Sequence, residues 1–278
     1  QGNIIFEWNI GSGGNYELQV SSEDDFTSPN IYFINQIDTI LSMNEGSYFW
    51  RVKSLTGNWS EVRSFTLIDL ETIGTLSFWF VPDSSDLIFT NEAISTWTSS
   101  AVNPMEMSQT NSNSQPILVE NSINGHPSVY FDGNDQLNSI TSASIATFFC
   151  LMKKQNTSNA IAMGLTSATA NPRWLLALTS SGVINFGSAF SNHRVNFTAS
   201  NAIGLDNWFV YSSKRSSASN FANMSYTSQH SGFQRVKGNF VETIGFTSAL
   251  NINDQELVEN YLRFKYSPPV NLGLDIDV

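Results

Sequence analysis

Short segments in which apolar and polar residues alternate recur along most of the chain, separated by clusters of Gly, Asn and Ser. Tyr16-Glu-Leu-Gln-Val20 is one such segment, and Ser47-Tyr-Phe-Trp-Arg-Val-Lys53 is another. A period of two places alternate side chains on opposite faces of a β-strand, whereas an amphipathic helix needs a period of ~3.6 residues. The dominant pattern therefore predicts an all-β protein whose strands are half buried.

The spacing of these segments predicts two domains within the 278 residues. Residues 1–68 hold about six strand-like segments at intervals of ~8–12 residues, which is typical of a β-sandwich. A short acidic junction at 69–75 follows, and about a dozen more segments between 76 and 267 favour a larger sandwich of the jelly-roll type. Residues 268–278 are expected to form a linker towards a further module.

One short helix is expected near the C-terminus. Five residues follow helical spacing: Leu257, Val258, Tyr261, Leu262 and Lys265. Asn253-Asp254 is expected to cap this helix, because short polar side chains accept hydrogen bonds from the first free backbone N–H groups. Glu256 and Glu259, three residues apart, are expected to share its solvent-facing side.

Charge and the distribution of apolar residues together exclude two classes of partner. Thirteen Lys and Arg against 24 Asp and Glu give a net charge of 13 − 24 = −11, and the pI is about 4.6. Nucleic-acid binding needs a basic surface that displaces counterions, so no nucleic-acid partner is expected. The sequence contains no apolar run approaching the ~18 residues of a membrane-spanning segment, so no membrane insertion is expected.

Several segments of the first domain carry a family resemblance. Tyr16-Glu-Leu-Gln-Val20, Tyr48-Phe-Trp-Arg-Val52 and Gly57-Asn-Trp-Ser60 resemble a fibronectin type III domain over about residues 1–68. The resemblance implies a spacer or docking unit in which catalysis is not expected.

The larger domain resembles another family. Leu76-x-Phe-Trp-Phe-x-Pro-Asp83, Ile94-x-Thr-Trp97 and Ile123-Asn-Gly-His-Pro-Ser-Val-Tyr-Phe-Asp-Gly133 are similar to the concanavalin A-like, laminin-G-like jelly rolls of bacterial surface proteins. The resemblance covers about residues 73–266. It implies a non-catalytic binding or adhesion module that recognises a glycan or cell-surface polysaccharide. A secreted or bacterial cell-surface protein with further modules is implied as well.

One turn is a candidate calcium site. Asp132-Gly-Asn-Asp135 offers oxygen ligands from Asp132, Asn134 and Asp135 around a glycine, and oxygen atoms are the ligands that Ca²⁺ takes. The alternative is a tight turn in which the same side chains accept hydrogen bonds from their own backbone.

Four residues are candidates for contact with a sugar. Arg173 and Trp174 follow Asn171-Pro172 and suit a stacking platform with a polar neighbour, but a core position is the favoured alternative for Trp174. His193 lies in a polar stretch beside Arg194, and Asn103 ends the loop that follows Trp97. Lys214-Arg215 and Arg235-x-Lys237 are small basic spots that suit either solvated turns or an acidic glycan.

The sequence contains no recognisable catalytic motif. A retaining glycosidase needs two carboxyl groups ~5–5.5 Å apart, which a strand supplies by alternation, and no strand-like segment here has that pattern. The three histidines, among them His126 in an expected turn, lack zinc-binding spacing. The single cysteine, Cys150, lies in an apolar run and is expected in the core. The favoured function is therefore glycan binding without catalysis, a spacer or fibre domain is the alternative, and a glycoside hydrolase is less favoured.

Overall fold

The computed structural model describes residues 2–9, 14–165, 174–180, 184–185, 191–196, 198, 205–221, 224–227 and 234–266. The chain folds into two compact units. The first unit consists of residues 1–69 together with 260–278, and the second unit consists of residues 70–259. Strands dominate both units, which confirms the all-β class.

Together with the end of the C-terminal helix, the first unit contains six strands among its described residues. They are β1 (Gly2–Glu7), β2 (Tyr16–Ser21), β3 (Asn30–Ile34), β4 (Asp38–Met43), β5 (Gly46–Ser54) and β6 (Arg63–Leu67). β1 and β4 form a two-stranded sheet, and β3-β2-β5-β6 form a four-stranded one. Phe6 of β1 meets Trp50 of β5 and Phe65 of β6 edge to face, with ring centroids 5.3 and 5.6 Å apart. The two sheets therefore face each other across one apolar core.

The second unit contains sixteen described strands and two helices that begin within it. They are α1 (Leu70–Ile73), β7 (Leu76–Phe80), β8 (Leu87–Thr90), β9 (Ala93–Thr98), β10 (Glu106–Ser108), β11 (Ile117–Ile123), β12 (His126–Asp132), β13 (Leu137–Asn138), β14 (Ala143–Lys154), β15 (Ala160–Leu165), β16 (Trp174–Leu178), β17 (Ile184–Asn185), β18 (Ser191–Val195), β19 (Trp208–Phe221), β20 (Met224–Tyr226), β21 (Gln234–Arg235), β22 (Lys237–Phe246) and α2 (Ile252–Lys265). Single 3₁₀ turns lie at Ser84–Asp86 and Ser112–Ser114. No described helix is long and apolar enough to cross a membrane.

These strands form one continuous antiparallel network that folds over itself, and only the β15–β21 pair is parallel among the described strands. Tyr226 of β20 shows how the layers meet. Its ring stacks on Trp97 of β9 at 5.1 Å and on Phe131 of β12 at 5.9 Å, and its hydroxyl bonds Thr243 of β22. Since β20 and β22 lie well apart in the strand order, these contacts join two layers around a buried aromatic core. Cys150 is buried in the same core, as expected.

A tight hairpin joins β11 to β12. Asn124 and Gly125 have φ angles of +48° and +89°, and Ile123 pairs directly with His126. Two consecutive positive φ angles are the signature of a turn that suits Asn-Gly. His126 is therefore the first residue of a strand, and the expectation that it lies in the turn was wrong.

Gly238 of β22 marks a close approach between two strands. A Cβ atom at this position would lie 2.1 Å from the carbonyl oxygen of Lys153 in β14. That distance is far inside van der Waals contact, so only a glycine allows the β14–β22 pairing at this point.

Two expectations about the C-terminal helix were wrong. Asn251, not Asn253-Asp254, is the cap: its Oδ1 accepts the backbone N–H of Asp254 at 3.0 Å. Glu259 is 1% exposed and does not face solvent, because Arg194 Nε donates to its carboxylate at 2.9 Å and Ser212 Oγ donates at 2.5 Å. Arg194 lies on β18 and Ser212 on β19, so the spacing of residues along the helix could not reveal either donor.

Candidate ligand-binding site

The sequence-predicted sugar contacts lie on separate elements. Arg173 falls outside the described residues, and Trp174 begins β16 opposite Gly164, with its side chain outside the described part of the chain. Asn103 is exposed between β9 and β10. His193 lies on β18, where Nδ1 is 2.8 Å from the Tyr211 hydroxyl and the two rings are nearly parallel.

The predicted calcium turn is held by its own backbone. Asp132 Oδ1 accepts the backbone N–H groups of Asn134 and Asp135 at 2.6 and 3.2 Å, and Asp135 Oδ2 accepts that of Asp132 at 2.7 Å. These bonds support the tight-turn alternative. Within the described ranges no three His, Cys, Asp or Glu side chains are grouped to hold a metal ion, and calcium binding stays a prediction.

A series of hydrogen bonds links this turn to a group of polar residues that we call the loop-end cluster: Gln115, Asp135, Gln136, Lys154, Asn156 and Arg235. Its members come from the β10–β11, β12–β13 and β14–β15 connections, from the end of β14 and from β21. Arg235 Nη2 donates to Gln136 Oε1 at 2.6 Å, and Asn156 Nδ2 donates to the Arg235 carbonyl at 3.2 Å. The cluster thus brings together residues more than a hundred positions apart in the chain.

Gln115 is linked to the rest of the cluster by hydrogen bonds to backbone carbonyl groups, one made by its own side chain and one accepted by its neighbour Ser114. Its Nε2 donates to the Gln109 carbonyl at 2.6 Å, and the Gln136 N–H donates to the carbonyl of Ser114 at 2.9 Å. Gln115 is only 6% exposed, so the amide oxygen at its tip is held in place beneath the surface.

Three buried polar atoms of the cluster lack a hydrogen-bond partner among the described residues. They are Gln115 Oε1, Asn156 Oδ1 and Arg235 Nε. A buried polar atom left unbonded costs roughly 1–3 kcal/mol, so such atoms are uncommon in native proteins. Three of the seven such side-chain atoms among the described residues belong to this cluster, which makes it the candidate site for a polar ligand.

Two charged groups of the cluster have shifted pKa values. Burial is the main cause that raises the pKa of Asp135 from 3.8 to about 6, and the nearby Arg235 charge opposes that shift. Burial likewise lowers the pKa of Lys154 to about 8, while its ammonium group donates to the Asn156 carbonyl. Both groups lie in a water-poor environment, where hydrogen bonds to a ligand are stronger than at an open surface.

Other expected basic spots and aromatic positions differ from the prediction. Lys214 and Arg215 lie within β19 and Arg235 within β21, so none of the three is a solvated turn residue. Trp97 is fully buried, but Trp79 is half buried and donates from its indole to Glu242 at 2.5 Å, while Trp208 is half buried below the Lys153 ammonium group. Trp79 and Trp208 lie in apolar runs, which predicts core positions for both, and that prediction is wrong because each is only half buried.

The chain has no recognised relative in two comparisons with known proteins. No family model matches it, and no curated protein matches it.

Proposed function

We propose that this chain is a non-catalytic pair of binding modules that recognises a neutral carbohydrate through the loop-end cluster. It acts as part of a larger secreted or bacterial cell-surface protein, and the fibronectin type III-like and concanavalin A-like, laminin-G-like resemblances support that setting. The observation that carries the proposal is a set of three buried polar atoms in one cluster, Gln115 Oε1, Asn156 Oδ1 and Arg235 Nε, that have no hydrogen-bond partner in the described part of the chain.

The chemistry of these groups suits the hydroxyls of a sugar. A hydroxyl both donates and accepts, so it can bond an amide oxygen and a guanidinium N–H at once. The Asp135 charge offsets that of Arg235, and Lys154 leaves the cluster with about one net positive charge below its pKa of about 8. The three amide side chains of the cluster, Gln115, Gln136 and Asn156, suit the hydroxyls of a neutral carbohydrate.

Polysaccharide titration tests the proposal. We expect the chain to bind at least one member of a panel of neutral plant, algal and bacterial polysaccharides, and calorimetry with an oligosaccharide of that polymer to give a measurable affinity. Arg235→Gln removes the guanidinium and Gln136→Ala removes its anchor. A hydrogen bond to a charged group contributes ~1.5–3 kcal/mol, so each variant is expected to bind at least about tenfold more weakly.

Arg63→Gln is the matched control, since Arg63 lies in the first unit and pairs with Glu61 at 2.8 Å. It is expected to bind like the parent chain. Absence of binding to every neutral polymer at millimolar oligosaccharide would overturn the proposal in favour of a spacer or fibre domain. Release of reducing ends from a bound polymer would overturn it in favour of a glycoside hydrolase.

A further inference from the structure

The first unit has four edge strands among its described residues, and β3 is the one without a charged residue. β1 and β4 form a two-stranded sheet and carry Glu7 and Asp38, and β6 carries Arg63. The sequence of β3 is Asn-Ile-Tyr-Phe-Ile. Proteins protect open strand edges with charges, because the unpaired backbone groups of an edge are a template for pairing with another chain. β3 lacks this protection.

The outward face of β3 is also strongly apolar. Phe33 is 74% exposed and Ile31 is 50% exposed, while Tyr32 and Ile34 on the opposite face pack against the core of the unit. Aromatic and β-branched residues favour extended pairing, and a short apolar segment without charge or proline pairs readily with another strand. The edge and the face of β3 thus both favour strand addition.

We propose that β3 pairs in antiparallel register with β3 of a second copy of this chain, so that two four-stranded sheets become one of eight strands. A two-fold axis at Tyr32 places Ile31 of one copy opposite Phe33 of the other, on the outward face of both sheets. The strand is neutral throughout, so this isologous pairing brings no like charges together. The second copy therefore fits this edge without a further partner.

The dimer is weak and depends on salt. A strand of five residues buries well below the ~1,200 Å² of a typical stable interface, so we expect a Kd between about 1 μM and 1 mM. Each copy carries a net charge of −11, and the two copies repel each other at low ionic strength. Added salt screens this repulsion and tightens the dimer.

Sedimentation equilibrium of the full chain tests the pairing. The parent chain is expected to increase in average mass between about 10 and 500 μM, and to do so more at 500 mM than at 50 mM NaCl. Phe33→Lys places a charge on the edge and is expected to weaken the dimer at least about tenfold. Ile5→Lys is the matched control: Ile5 is 66% exposed on β1, which already carries a charge, and the variant is expected to behave like the parent.

Engineered cysteines test the register, since Cys150 is buried and does not compete. A mixture of Ile31→Cys and Phe33→Cys chains is expected to form a disulfide-linked dimer under mild oxidation, while either variant alone forms little. The pairing is overturned if the parent stays monomeric at 500 μM, if Phe33→Lys dimerises as the parent does, or if the mixture gives no excess of mixed disulfide. This outcome is independent of the glycan titration.

Discussion

The cations of the first unit and those of the second unit are surrounded very differently. Arg51 lies between the rings of Phe26 and Trp59, 4.1 and 4.4 Å from their centroids, and donates twice to Gln19 Oε1 at 3.0 and 2.8 Å. The Arg235 guanidinium in the loop-end cluster donates to Gln136 at 2.6 Å, but its Nε is buried without a partner among the described residues.

The lysines repeat this contrast. Lys53 pairs with the Glu17 carboxylate at 3.2 Å and lies 4.5 Å from the Trp59 ring. Lys154 is fully buried and bonds the Asn156 carbonyl, with no carboxylate within salt-bridge distance among the described residues. A cation whose hydrogen bonds and ring contacts are complete stabilises its sheet, whereas a buried cation with an unused donor or no counter-ion lowers stability.

The largest loss of stability is expected when Arg51, whose hydrogen bonds and ring contacts are complete, is replaced. Arg51→Ala removes two cation–π contacts of ~0.5–1 kcal/mol each and two hydrogen bonds, so the free energy of unfolding of the first unit should fall by about 2–3 kcal/mol. Arg63→Ala, which removes an exposed pair, should change it by less than about 0.5 kcal/mol. Scanning calorimetry of the full chain measures both. Equal losses for the two variants would show that the contacts of Arg51 add no more stability than an exposed ion pair.

Replacing Lys154 is expected to increase the free energy of unfolding rather than decrease it. Burial lowers its folded-state pKa from 10.5 to about 8, so the unfolded chain binds more protons between these values. The stability of the parent should therefore rise as the pH increases from 8 to 10.5, and the penalty is fully present below pH 8. Lys154→Met removes the charge and is expected to stabilise the second unit by about 2 kcal/mol at pH 7.

Denaturant titrations at several pH values check this prediction. The stability difference between Lys154→Met and the parent should shrink from pH 8 to pH 10.5. A difference that stays constant over this range would show that the buried ammonium group is not its cause.

A smaller effect is expected at Asp135, whose folded-state pKa is raised from 3.8 to about 6. The folded chain then binds more protons than the unfolded chain between these values, so this group lowers stability as the pH rises from 3.8 to 6. Asp135→Asn should become more stable than the parent over that interval, by about 1–2 kcal/mol at pH 7. Chemical unfolding of both chains at pH 4, 5, 6 and 7 measures the difference, and a less stable variant at every pH would contradict it.

The smallest effect is expected from calcium. The carboxylates of Asp132 and Asp135 already accept backbone N–H groups, so millimolar Ca²⁺ should leave the melting temperature unchanged. A thermal-shift measurement with Mg²⁺ as the control checks this. A rise specific to Ca²⁺ would favour the calcium alternative for this turn.

The strands could be predicted from the alternation of apolar and polar residues, because residues two positions apart lie on the same face of a strand. Tyr16, Leu18 and Val20 are buried as the pattern predicts, and Tyr48 and Trp50 of β5 pack against the same core. Gln19 and Ser21 on the other face of β2 are buried too, which the alternation does not predict. The helix at the C-terminus is also present, although its cap lies two residues earlier than predicted.

The loop-end cluster was not predictable in the same way. Gln115, Asn156 and Arg235 each lie in a polar stretch that resembles a solvated loop, and only the sheet topology brings them together. Glu259 shows the same limit, since its burial depends on Arg194 and Ser212, which are nearly fifty or more positions earlier in the chain. Asp132 and Asp135 stand out from their local pattern alone, because a turn brings its own residues together.

Gly238 has a consequence for how this sequence can vary over evolutionary time. Any side chain there would collide with the Lys153 carbonyl in the neighbouring strand, so β14 and β22 would have to separate. β14 ends at Lys154, and β22 begins two residues after Arg235. A side chain at position 238 would therefore displace two members of the loop-end cluster at once. Drift should therefore be tolerated at exposed positions such as Lys237 and forbidden at Gly238, even though a glycine offers no side chain to a ligand.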